Sequence, residues 1–102
     1  MSEIFYLIRS KADGQYLVAR PRLANQKEGE ANPGFLLLFK EHFDALSYLN
    51  THGSGVVTRF AVESIPRVQV GSILKRWGFV GVGIVQDPLL PQVEFLQQDS
   101  SL

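Results

Sequence analysis

Gly34-Phe35-Leu36-Leu37-Leu38-Phe39, running without a break into Lys40-Glu41-His42-Phe43-Asp44-Ala45-Leu46-Ser47-Tyr48-Leu49-Asn50-Thr51-His52, is the stretch that decides the fold. Its first part is apolar at every position, which suits a central strand covered on both faces. Its second part sets Phe43, Leu46 and Leu49 at three-residue spacing with Ala45 and Tyr48 beside them, one side of an amphipathic helix. Gly53 and Gly55 follow, where helix C-termini commonly stop.

The same order then repeats. Thr58 to Ile65 is strand-like, with Phe60 and Val62 expected to point inward, and it leads into Pro66 to Trp77. Val70, Ile73, Leu74 and Trp77 fall at i, i+3, i+4 and i+7, the clearest helical stripe in the chain. Pro66 suits a helix start, and Gly71 weakens the first half enough to place regular helix from Ser72. Phe79 to Gln86 reads as a strand, Asp87-Pro88 and Pro91 as breaks, and Val93 to Leu96 as a last short strand. Upstream, Ile4 to Ile8 and Tyr16 to Ala19 flank Asp13-Gly14 and read as a β-hairpin. Leu23 to Asn32 has no large apolar residue after Leu23 and reads as a mobile surface loop.

The expected class is therefore α+β: a mixed or mostly antiparallel sheet of five to six strands, two helices mainly on one face, and an N-terminal β-hairpin. Residues 1–97 are expected to form one domain and 98–102 a frayed tail. Leu37, Phe39, Leu46, Phe60, Val62, Leu74 and Trp77 are expected to be buried together. With both helices on the face of Gly81 and Gly83, the opposite face, carrying Val80, Val82 and Ile84, is the candidate interaction surface.

Composition sets the outer limits. The chain has 102 residues, 45% hydrophobic and 20% charged, with zero net charge. That describes ordinary globular material with no global field to draw nucleic acid or an anionic membrane. The absence of cysteine removes disulfides, thiolate nucleophiles and Cys-based metal sites, and sits best with a reducing interior. The N-terminus shows no secretory signal pattern, and no apolar run approaches about 18 residues. A cytoplasmic location is the expectation.

Motifs for chemistry are weak. Gly81-Val82-Gly83 lacks the third glycine and the following helix of a dinucleotide fingerprint, so close packing against the strand is the better reading. His42 and His52 stand at opposite ends of one helix, about 15 Å apart at 1.5 Å rise per residue, too far to share a metal. No serine sits in a Gly-x-Ser-x-Gly elbow. Glu41, Asp44, Glu63, Asp87 and Glu94 are scattered, leaving spatial pairing of two acids as the only enzymatic reading. No catalytic residue, metal or cofactor is expected. Arg9, Lys11, Arg20 and Arg22 form a candidate basic patch on and beside the hairpin, although basic residues there also guard a sheet edge. Without aromatic-plus-basic interleaving, they speak against nucleic acid.

The residues from Gly34 to Leu96 resemble the N-terminal domain of the SseB family (enhanced serine sensitivity protein B). Three places carry the likeness: a strand ending in Phe39 that enters a helix with Phe43, Ala45 and Leu46; Ile73-Leu74 leading to Trp77-Gly78; and Gly83-Ile84-Val85-Gln86-Asp87-Pro88 before Val93-Glu94-Phe95. Asp87-Pro88 stands where that family has Asn-Pro, and Lys40-Glu41 where a small hydroxyl residue opens its first helix. The resemblance implies an α+β domain that is not an enzyme. Together these readings point to a protein-interaction module that binds a protein partner or a second copy. The alternatives are a small-ligand sensor with an apolar pocket on the sheet and, more remotely, an enzyme using paired carboxylates.

Overall fold

The computed structural model describes residues 3–21, 34–52 and 59–97. The loop expected at Leu23 to Asn32, the glycine stop at Gly53 and Gly55, and the tail lie outside those residues. The elements are β1 (Ile4–Ser10), β2 (Val18–Ala19), β3 (Phe35–Phe39), α1 (His42–His52), β4 (Phe60–Pro66), α2 (Arg67–Trp77), β5 (Gly81–Asp87) and β6 (Gln92–Gln97). They build a six-stranded, mostly antiparallel sheet of order β4-β1-β3-β5-β6, with β2 paired to β3. Among the described residues only the β3–β5 pairing is parallel. The α+β class and the strand number are as the sequence leads one to expect; the N-terminal hairpin forms only as a turn closed by one bridge, because β2 pairs with β3 and not with β1.

The hairpin is held by an antiparallel bridge between Arg9 and Tyr16 and by the Leu17 N–H donating to the Ile8 carbonyl at 2.8 Å. Asp13 accepts from the Gln15 N–H in the turn, and that bond, helped by Ser10, holds its carboxyl below the usual range.

The placement of the helices differs from expectation. Leu36 and Leu38 belong to one core cluster with Phe5, Leu7, Ile65, Val70 and Leu74. Leu37 and Phe39 belong to another with Ile8, Ala45, Leu49 and Val85. Successive strand residues point to opposite faces, so α2 covers one face of the sheet and α1 the other. The physical reason is β3 itself. All five of its residues are buried, and a strand that is apolar on both sides needs cover on both. The residues expected to be buried together are accordingly split: Leu37, Phe39, Phe60 and Val62 lie on the α1 side, and Leu74 on the α2 side.

The face of α1 is also rotated. Ala45 is fully buried and Leu49 nearly so, while Phe43 is 74% exposed and Leu46 is 38% exposed. The small Ala45 side chain lets the helix approach the sheet closely, so Tyr48 and Leu49 fill the contact and the Phe43–Leu46 side turns to solvent. Tyr48 packs on Phe39 with ring centroids 5.4 Å apart, and its burial raises the phenol above its ordinary range.

Helix α2 starts at Arg67, directly after β4, and not at Ser72. Pro66 is its N-cap residue in extended conformation (φ −63°, ψ 140°), and the Arg67 N–H donates to the Glu3 carbonyl at 2.8 Å. Gly78 ends the helix in the left-handed region at φ 72°, its N–H on the Leu74 carbonyl. Gly71 therefore sits inside a formed helix, exposed, with nothing within 4 Å of where a Cβ would stand. Gly71→Ala should stabilise the protein by about 0.5–1 kcal/mol, read as a higher urea midpoint. A lower midpoint would show that the position needs the freedom of glycine.

Candidate functional site

The sequence-derived interaction surface is part of a groove. Helix α2 lies over β4, β1 and β3 and leaves the same face of β5 and β6 partly open. Cross-strand partners put Val82 opposite Leu96 and Ile84 opposite Glu94, so all four side chains share that face. Val82, Ile84 and Leu96 form the apolar floor of a groove of about 640 Å³, with Val68, Ser72 and Lys75 of α2 along its wall. Val68 is 83% exposed and Leu96 is 45% exposed.

The expectation that this face lies away from both helices is corrected here. Val82 is only half exposed and packs against the cluster that holds Leu74 and Val70. Val80 does not line the groove; it precedes β5 and donates its N–H to the Gly34 carbonyl at 2.9 Å. The outer residues Val68 and Leu96 carry the accessible apolar surface. Leu96 was legible from the alternation of the last strand, whereas Val68 lies off the buried stripe of α2 and has no signal of its own.

The groove continues into a hollow of about 450 Å³, with which it shares Glu3, Phe5, Ile84 and Leu96. Charged residues are unevenly distributed along this length. Lys75 lines the groove but not the hollow, while Lys40, Glu41 and Glu94 line the hollow but not the groove. Lys40 Nζ donates to Gln86 Oε1 at 3.0 Å, and Gln86 Nε2 donates to Glu94 Oε2 at 3.1 Å, tying the residue that follows β3 to β5 and β6. Arg67 lies 3.9 Å from Glu3. Lys75 has no hydrogen-bond or ion-pair partner among the described residues.

Of the expected basic patch, Arg9 is engaged within the hairpin. Arg9 Nε donates to the Gly14 carbonyl at 2.7 Å, its guanidinium stands 4.9 Å from the Tyr16 ring centre, and it lies 3.8 Å from Glu63. It braces the hairpin. Lys11 and Arg20 are exposed, and Arg22 lies outside the described residues. The structure does supply one aromatic-plus-basic contact that the sequence order hides: Tyr16, under Arg9, meets Trp77 edge-on at 5.1 Å, and Trp77 stacks on Phe79 at 6.1 Å. Tyr16 lies far in sequence from Trp77 and Phe79, so no local pattern announces the group.

The remaining candidates make local packing and hydrogen-bond contacts. Gly83 is where a Cβ would lie 3.0 Å from Val93 and 3.1 Å from Leu37, in keeping with close packing against the strand. His42 rests edge-on against Tyr6, and the His52 ring nitrogen lies 2.9 Å from the Pro88 carbonyl. Asp87 accepts the Leu89 N–H at 2.8 Å and so shapes the β5–β6 turn. Glu41 and Glu94 both line the hollow. Among the described residues no group of three or more His, Asp or Glu is placed to hold a metal ion, and no helix is long and apolar enough to cross a membrane.

No family model, no curated protein and no solved structure matches this chain.

Proposed function

We propose that this chain is a non-enzymatic protein-interaction module that self-associates through the groove and the strand that forms its outer wall. One observation carries the reading: β6 is an edge strand with apolar side chains on both faces, Phe95 at 40% and Leu96 at 45% exposure, and a single charged residue, Glu94. An edge presents a row of N–H and C=O groups that pair readily with another strand unless charge, proline or a bulge prevents it. The opposite edge, β4, also carries one charged residue, Glu63, but it ends in Pro66 and runs directly into α2. A second copy offers the same self-complementary edge, and zero net charge leaves no overall repulsion between copies.

The likeness to the SseB N-terminal domain and a cytoplasmic setting belong to the same proposal. They rest on the residues from Gly34 to Leu96 and on a composition without cysteine. A second reading draws on the groove's size, which falls within the range of small-molecule sites, roughly 300–1,000 Å³. In that case the protein is a small-ligand sensor.

Solution mass by light scattering separates the two. The wild-type chain should be a dimer, and Leu96→Glu should be a monomer with an unchanged circular dichroism spectrum, since Leu96 already reaches solvent. A wild-type monomer at every concentration tested, with a melting temperature that rises on adding a small apolar compound, would transfer the assignment to the sensor.

A further inference from the structure

We propose that two copies join β6 to β6 in antiparallel register about a two-fold axis at Phe95, placing Lys75 of each copy against the partner's Glu94. This rests on the self-association reading and adds its geometry.

The register follows from side-chain alternation. Two antiparallel strands related by a two-fold axis perpendicular to the sheet oppose residues that point to the same face. An axis at Glu94 would set two carboxylates directly opposite each other, which is unfavourable. An axis at Val93 or Leu96 would leave much of β6 unpaired, given its span of Gln92–Gln97. An axis at Phe95 pairs Val93 through Gln97, sets Phe95 against the partner's Phe95, and sets Leu96 against the partner's Glu94.

Charge then agrees with register. Glu94 and Leu96 are on the groove face, because they pair with Ile84 and Val82. The partner's Glu94 therefore arrives beside Leu96 at the end of the groove that Lys75 lines. Lys75 has no partner among the described residues, and Glu94 accepts one hydrogen bond, from Gln86. Symmetry makes the contact twice. On the other face, Phe95 already packs edge-on against the buried Phe35 at 5.1 Å, so the axis falls on a supported ring.

The test uses the full chain and two exposed positions. Lys75→Glu and Glu94→Lys should each weaken dimerisation by about tenfold or more, because each turns two attractive contacts into repulsions. Mixing the two variants should restore association as a heterodimer, since both contacts then join unlike charges, and native mass spectrometry reads this directly. A second variant is independent of charge. The chain has no cysteine, and opposed residues in an antiparallel pair lie about 4.5–5.5 Å apart at Cα, within disulfide reach. Phe95→Cys should therefore cross-link into a covalent dimer under mild oxidation, and faster than Glu63→Cys on the other edge. A wild-type dimer whose single charge variants associate normally, or whose Phe95→Cys form does not cross-link, overturns this register and leaves self-association standing. A wild-type monomer overturns both.

Discussion

Leu74→Ala should destabilise the protein by about 2–5 kcal/mol, while Leu46→Ala should cost less than about 1 kcal/mol. The two leucines look alike in sequence, each on the apolar side of a helix. They differ in what they touch. Leu74 is buried against Leu36, Leu38, Ile65 and Val70, so removing its side chain leaves a cavity that the sheet cannot collapse into. Leu46 reaches solvent, because Ala45 and Leu49 make the contact of α1 with the sheet. Urea midpoints at constant slope measure both losses. Equal losses would mean that α1 is docked by its Phe43–Leu46–Leu49 side after all.

Gly34→Ala is expected to lower stability by about 2–4 kcal/mol, from backbone strain and crowding together. Gly34 has φ +99°, a conformation that residues with a Cβ rarely adopt, and a Cβ there would stand 3.1 Å from Val18 Cγ2 and 3.3 Å from the Ala19 carbonyl oxygen. It also stands at the entry to β3, where its carbonyl accepts the Val80 N–H. The backbone must change conformation or Val18 must move, and either disturbs the pairing of β2 with β3. In a domain of this size each kcal/mol lowers Tm by about 4–8 °C, so calorimetry resolves the effect. The same substitution at Gly71 has the opposite expected sign, and the pair compares a required glycine with a dispensable one. A Gly34→Ala protein that melts with the wild type would refute the strain.

Much of the fold is legible in the residues. Phe35 to Phe39 reads as a doubly covered central strand and is one. The stripe Val70, Ile73, Leu74 gives α2 its buried side, although its last member, Trp77, is 39% exposed beside Tyr16. The site was legible only in part. Val82 and Ile84 are in the groove, but the groove owes its second wall to α2, which closes over Val82 and leaves Val68 and Leu96 outermost. Nor does the sequence order show that Arg9, one of the basic residues of the hairpin, is engaged by Tyr16, Gly14 and Glu63.

Periodicity, glycine and proline act over a few neighbouring residues, so the sequence by itself determined the elements, their order, and the need for apolar cover on both sides of β3. Which helix covers which face, how α1 is rotated, and which strand is left at the edge are long-range outcomes. β4 crosses to pair with β1 along its whole length, which carries the start of α2 to the face opposite α1. The tertiary structure alone decided that β6 would be the thinly guarded edge and that Lys75 and Glu94 would sit toward opposite ends of one groove, because those relations arise only when segments far apart in sequence pack against the same central strand.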